Sequence, residues 1–327
     1  MNNRRKLLVA LGAAALGSPL TPHAQPQSKV WRIGILGVAS AAGLVKEVDA
    51  IRAGLRDLGY VEGRNIVIEF RWAESNPERL KAMAAELVAL KVDVIITHAT
   101  SGARTAAQAT KTIPIVMADG PDPVVAGLVA SLARPGGNIT GSTGFQIELA
   151  TKRMEMLKEV APRIKRMAVL LSGSNPNNAL HFSNMQTAAK SMKVELHKFE
   201  VRGVEELAGA FIAMVKQRVD SAVISEAPLL GSNGGVIAAL AATHRLPSIG
   251  NSTFPDAGGL LGYGANHQVM WGRAANFVDK ILKGAKPGDI PIERATRFEL
   301  VINLKTAKAL GIKIPQQLLQ RADRVIE

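Results

Sequence analysis

VDVIITHATSGARTAAQATKTIPIVMADGPDP, residues 92–123, sets two short apolar runs, Val92–Thr97 and Ile113–Ala118, on either side of a helical stretch, Ser101–Ala109. Strand, helix and strand in close series imply parallel strands joined by right-handed crossovers. The same alternation extends outward. Upstream, Val30–Gly37 reads as a buried strand, Glu47–Leu58 as a helix stopped by Gly59, and Asn65–Arg71 as a strand. Asn76-Pro77 then caps a helix running to Leu90. Downstream, Asp122-Pro123 is expected to start a helix to about Leu132, and Ile139–Gly144 is a short exit strand.

The pattern then restarts. Helices are expected over Glu148–Val160, Asn175–Met192, Val204–Gln217 and Asn233–Thr243. They alternate with strands at Arg166–Leu171, Val194–Val201, Ser221–Ser225 and Pro247–Gly250. The fold class read from this is α/β, with two Rossmann-like lobes built on parallel sheets. The tail reads as a strand at Leu260–Tyr263, a helix at His267–Leu282, a strand at Ile290–Ile302 and a helix capped by Asn303 and ended by Gly311. If its helix joins the first lobe and its last strand the second, three segments cross between the lobes and form a hinge. On that topology residues 29–144 plus 265–288 are lobe 1, and 145–264 plus 289–327 are lobe 2. Gly144, Gly264 and Gly288 are the expected pivots.

Composition narrows the function. The 327 residues include no Cys, which excludes disulfides, thiolate metal sites and a cysteine nucleophile. A formal charge of +13 raises the question of nucleic acid, yet the basic residues are dispersed and only 4% of residues are aromatic. A basic protein that binds no nucleic acid is the expectation. Arg4, Arg5 and Lys6 precede an apolar stretch from Leu7 to Leu16, about ten residues and half of what a spanning helix needs. Pro19, Pro22 and Pro26 follow, with a small residue at Ala24, so residues 1–24 read as a signal peptide cleaved near Ala24. The mature chain is expected to be a soluble periplasmic protein.

Catalytic and cofactor signatures fail one by one. Gly136–Thr143 approaches a phosphate-binding loop but has Ser142 where the lysine belongs. The six histidines show no metal-ligand spacing, and no Gly-x-Ser-x-Gly elbow occurs. No enzyme activity, cofactor or metal is expected. The polar residues gather instead at strand ends, where open parallel sheets bind ligands. Ser40, His98, Thr100, Ser101, Asp119 and Asp122 are the lobe 1 candidates. Ser174, Asn175, Glu226 and Asn251 are those of lobe 2. Hydroxyls and free N–H groups at Ser40, Thr100 and Ser101 suit a carboxylate. Glu226 suits an amino group, with Asp119 and Asp122 next. Phe145 and Phe254 are candidates to cover an apolar side chain.

Several segments resemble a known family. They are Gly59–Ile66, Arg71-Trp72-Ala73-Glu74, Ser131–Asn138, Val278–Ala285, Phe298–Asn303 and the tail around Ala322-Asp323. Together they look like the ABC transporter substrate-binding proteins, over about residues 30–327. Asp119-Gly120-Pro121-Asp122-Pro123 and Ser174-Asn175-Pro176 are close to that pattern; His98-Ala99-Thr100-Ser101 and Glu226-Ala227-Pro228 depart from it. The resemblance implies a periplasmic binding protein of the type with three interlobe crossings. It implies a monomeric receptor that captures a small amino-acid-like or carboxylate ligand and delivers it to an ABC permease in the inner membrane. Some members serve tryptophan or tyrosine uptake. The alternative is a periplasmic sensor presenting the same cleft to a membrane signalling protein.

Overall fold

Strand β1 (Trp31–Gly37) is buried along most of its length, because its Ile33, Ile35 and Leu36 lie in the middle of a sheet covered on both faces. A computed structural model describes residues 29–144, 146–173 and 178–327. The expected signal peptide and the candidates Phe145, Ser174 and Asn175 lie outside the described residues.

The first sheet is completed by β2 (Ile66–Trp72), β3 (Val94–His98), β4 (Ile115–Asp119), β5 (Ile139–Thr143) and β11 (Glu293–Arg294). Its order is β11-β5-β4-β3-β1-β2, with every pairing parallel. Helices α1 (Val45–Asp57), α2 (Pro77–Ala89) and α3 (Ala99–Ala109) form the crossovers. The second sheet holds β6 (Arg166–Ser172), β7 (Glu195–Val201), β8 (Ser221–Ile224), β9 (Ser248–Gly250), β10 (Leu261–Ala265), β12 (Phe298–Asn303) and β13 (Arg324–Ile326). Its order is β13-β12-β10-β9-β8-β6-β7, parallel except where β10 meets β12. Helices α4 (Gln146–Val160), α5 (Asn178–Ser191), α6 (Leu207–Lys216), α7 (Pro228–Ser232) and α8 (Gly234–Thr243) connect it. In each sheet the winding direction reverses once, between β1 and β3 in the first and between β6 and β8 in the second. Such switch points open a crevice at the carboxyl ends of the strands.

The chain passes between the sheets three times among the described residues: after β5, after β10 and after β11. Helix α9 (His267–Leu282) returns to the first sheet. Its Trp271, Phe277 and Val278 are fully buried in the core formed with Ile33, Ile51 and Leu55, each contributing about 1.5–3 kcal/mol. The tail ends in α10 (Leu304–Leu310) and α11 (Gln316–Gln320) on the second sheet's core. Asn303 caps α10 through the Thr306 amide at 3.0 Å, and Gly311 closes it at φ 70°.

Two expectations change. The strand expected over Ile290–Ile302 divides in two. Ile290 and Ile292 pack under the first sheet and β11 pairs with β5, while β12 pairs with β10. The third crossing therefore runs through 295–297 rather than beside Gly288. The helix expected from Pro123 to Leu132 is a series of turns. Asp122 Oδ1 accepts from the amides of Val124 and Val125, and one helix-like turn closes with Leu128 N on Pro123 O at 2.8 Å. Gly127, at φ 66°, then turns the chain away.

Close packing of β4 on β5 depends on Gly141. It sits at φ 134°, and a Cβ there would lie 2.1 Å from the Met117 carbonyl oxygen. Gly141→Ala should lower unfolding free energy by about 2–6 kcal/mol, the combined cost of backbone strain and overpacking. Gly209→Ala, in α6 with nothing within 4 Å of the added methyl, should be neutral or stabilise by up to about 1 kcal/mol. Urea denaturation of the two variants separates these outcomes, and equal midpoints would contradict the packing described.

Candidate functional site

The carboxyl ends of both sheets face one cleft, a cavity of about 490 Å³. His98, Asp119 and His267 line it from the first sheet's side; Glu226, Asn251 and Phe254 line it from the second. This volume falls within the roughly 300–1,000 Å³ typical of small-molecule sites.

The first-sheet wall is built around one carboxylate. The pairing of β3 with β4 shifts between Thr97 and His98, bringing His98 opposite Asp119. Such irregularities re-aim side chains at strand ends. The His98 ring packs against Trp271 at 5.5 Å, and its Nε2 accepts from the Val38 amide at 3.0 Å. Burial pulls the His98 pKa below its ordinary value, against the pull of Asp119, so the ring is neutral with its proton on Nδ1. Asp119 Oδ2 accepts from His267 Nδ1 at 2.7 Å and from Trp271 Nε1 at 3.2 Å. Burial raises the Asp119 pKa, but the charge and hydrogen bond of His267, with His98 and Trp271, bring it down to about 2. Burial likewise lowers His267. The charge and hydrogen bond of Asp119, aided by Glu226 and Glu47, reverse this and raise it to about 9. At neutral pH His267 is an imidazolium, and its second N–H has no hydrogen-bond partner among the described residues.

Ala99 also lines the cleft and opens α3 in the left-handed region, at φ 58°. A non-glycine residue there costs about 1–3 kcal/mol, a strain found most often at ligand sites. No side chain caps the first-turn N–H groups of α3.

On the second-sheet wall the charges are paired. Glu226 forms an ion pair with Arg153, which is itself buried and donates from Nε to the Tyr263 carbonyl at 2.6 Å. Gly264 leaves room for this pair, since a Cβ there would lie 2.9 Å from Arg153 Nη2 and 3.1 Å from Glu226 Oε1. Asp256 is held by Arg324 through bonds of 2.5 and 2.6 Å. Phe254 is buried against Gly250 and Gly259 and also lines the cavity.

Of the residues expected from sequence, His98, Asp119, Glu226, Asn251 and Phe254 therefore meet at the cleft. Ser40 instead accepts from the Gly43 amide at 3.3 Å, and Asp122 caps the turn that follows it. Thr100 is buried within α3 and Ser101 half-buried there, neither lining the cavity. Glu226 is in place, but its charge is already met by Arg153. Sequence reasoning missed His267, Trp271, Arg153, Lys46 and Glu47. The same strand-end rule, applied to Asn266-His267 after β10 and to the first turn of α1, points to His267, Lys46 and Glu47.

The Asp119–His267 pair sets a pH window. His267 has a raised pKa in the folded chain, so its contribution is fully present below 6.5 and is lost as pH rises through about 9. Asp119 has a lowered pKa, so its contribution is present above 3.8 and is lost as pH falls through about 2. Unfolding free energy should fall between pH 6.5 and 9 by at most about 3 kcal/mol, and Asp119→Asn should flatten that decline. Urea titrations at several pH values check this; an unchanged slope in the variant would contradict the pairing.

Comparisons with known proteins agree with the two-sheet fold. The tyrosine-binding protein of Clostridioides difficile is 29% identical over 286 residues, covering 87% of this chain and 82% of that protein. A domain from Streptococcus pneumoniae determined in complex with L-Trp is 29% identical. It superposes with a TM-score of 0.84 over 90% of this chain and 99% of its own. The ligand-free, open structure of a substrate binding protein with adhesive properties from Clostridium difficile is 25% identical and covers 91% of this chain and 99% of its own. It superposes with a TM-score of 0.66. The two solved structures share with this chain the two-sheet architecture of type I periplasmic binding proteins. The family model for ABC transporter substrate binding proteins matches residues 32–326, and the chain belongs to that family of non-enzymatic, ligand-capturing transport components.

Proposed function

We propose that this protein captures a small amino acid with an aromatic or apolar side chain between its two sheets, in the periplasm, and delivers it to an ABC permease of the inner membrane. The observation that carries this reading is the cleft itself. It lies at both switch points, has the volume of a small-molecule site and is walled by charges that are largely paired within the protein.

A ligand carboxylate would meet the free N–H of the His267 imidazolium and the uncapped first turn of α3 at Ala99. This moves the anion site away from the Ser40, Thr100 and Ser101 side chains. Ala39, Leu44, Ile224 and Leu230 offer apolar wall for a side chain, with Phe254 behind them. The bound relatives support an aromatic amino acid: one is a tyrosine-binding protein and another holds L-Trp. The chain also superposes better on the L-Trp complex than on the ligand-free open structure, at nearly equal identity. We therefore read the arrangement as the closed one. Closure would turn about the crossings near Gly144, Ala265 and 295–297.

The exported chain, beginning near Gln25, should bind L-tryptophan or L-tyrosine. At a hundredfold excess over Kd the ligand should stabilise it by about 2.7 kcal/mol in thermal or chemical denaturation. Small-angle scattering should show the ligand-free protein contracting on addition of the same compound. Stabilisation by neutral sugars alone, or a radius that does not change at saturation, would overturn the proposal.

A further inference from the structure

The cleft's carboxylates differ in one respect. Asp119 is bonded to His267 and Trp271, Glu226 is paired with Arg153, and Asp256 is gripped by Arg324. Glu47 also lines the cavity, from the first turn of α1. Its carboxylate forms no ion pair and no hydrogen bond to another side chain among the described residues. The structure thus holds one cleft carboxylate in reserve. Its charged neighbours are His267, Asp119 and Lys46. Lys46, next in sequence, is exposed and also lines the cavity.

We infer that Glu47, rather than Glu226, receives the ligand's ammonium group and selects amine-bearing solutes over their deaminated analogues. Three observations carry this. A partly buried carboxylate without a partner is costly, and an incoming cation offsets that cost; Glu226 already has its cation. Glu47 lies close enough to His267 for each to act on the other's charge. Both line the same cavity, so an acceptor and a cationic donor face one bound molecule, as the ammonium and carboxylate of an α-amino acid require. Finally, α1 and α9 are packed together along the first sheet, so the two groups are held on a rigid pair of helices. Burial also raises the Glu47 pKa, against its own backbone hydrogen bond and the pull of His267. This is the state of a carboxylate that lacks its counter-ion.

This assignment rests on the amino-acid reading of the cleft, and the test separates the two. Isothermal titration with L-tryptophan and with indole-3-propionate, which lacks only the amino group, is compared for the wild type and Glu47→Gln. The wild type should prefer L-tryptophan. Glu47→Gln should weaken L-tryptophan by about tenfold or more, leave indole-3-propionate within about twofold, and so erase the preference. Denaturation of the unliganded variant should show a fold at least as stable as wild type, because a partly buried charge without an ion-pair partner has been removed. Equal weakening of both compounds, no weakening of either, or an unfolded variant would overturn the assignment while leaving the amino-acid reading intact. A wild type that binds neither compound, and does not bind L-tyrosine, would overturn both.

Discussion

One carboxylate organises the first half of the molecule. Asp119 ends β4, and its Oδ2 holds both His267 and Trp271, residues 148 and 152 positions further along the chain. That anchor fixes the N-terminal end of α9 on the first sheet, where Trp271, Phe277 and Val278 complete the apolar core. The same contact fixes the charge of the cleft wall, because it keeps His267 protonated well above neutral pH. Packing and electrostatics thus meet at a single oxygen atom.

The second sheet solves a related problem differently. A buried arginine is costly unless its charge and its N–H groups are both satisfied. Arg153 has Glu226 for the first and the Tyr263 carbonyl among the partners for the second, with Gly264 leaving the space. Glu226 stands at the end of β8 and Tyr263 within β10, so this cluster ties the strands that flank the cleft. The two walls therefore carry balanced charge before any ligand enters. Discrimination then falls to the few groups left over: the second N–H of His267, the first turn of α3 and Glu47.

The alternation of strands and helices was legible because each crossover demands an apolar run, a helical face and a stop. Gly59, Asn76, Asn303 and Gly311 mark those boundaries in the sequence itself. The division of 290–302 was not legible. Ile290, Ile292 and most of β12 (Phe298, Leu300, Val301 and Ile302) are apolar strand formers, and only pairing partners distant in sequence assign them to different sheets. The turns after Asp122 misled for a similar reason, since their first bonds are helical until Gly127 departs. At the site, position was easier to read than role. His98, Asp119, Glu226 and Asn251 lie where strand-end reasoning places them, yet whether a carboxylate is free or already paired depends on Arg153, His267 and Arg324. Those partners come from α4, α9 and β13, and no local pattern links them.

We propose that the cleft closes on a small amine-bearing acid. Native mass spectrometry of the protein isolated from its own cell, followed by mild denaturation and identification of what is released, decides between the outcomes. A single non-covalent adduct per chain that resolves to an α-amino acid, an aromatic one above all, is the expected result. Release of a sugar or polyol, or of an acid without an amino group, would contradict it.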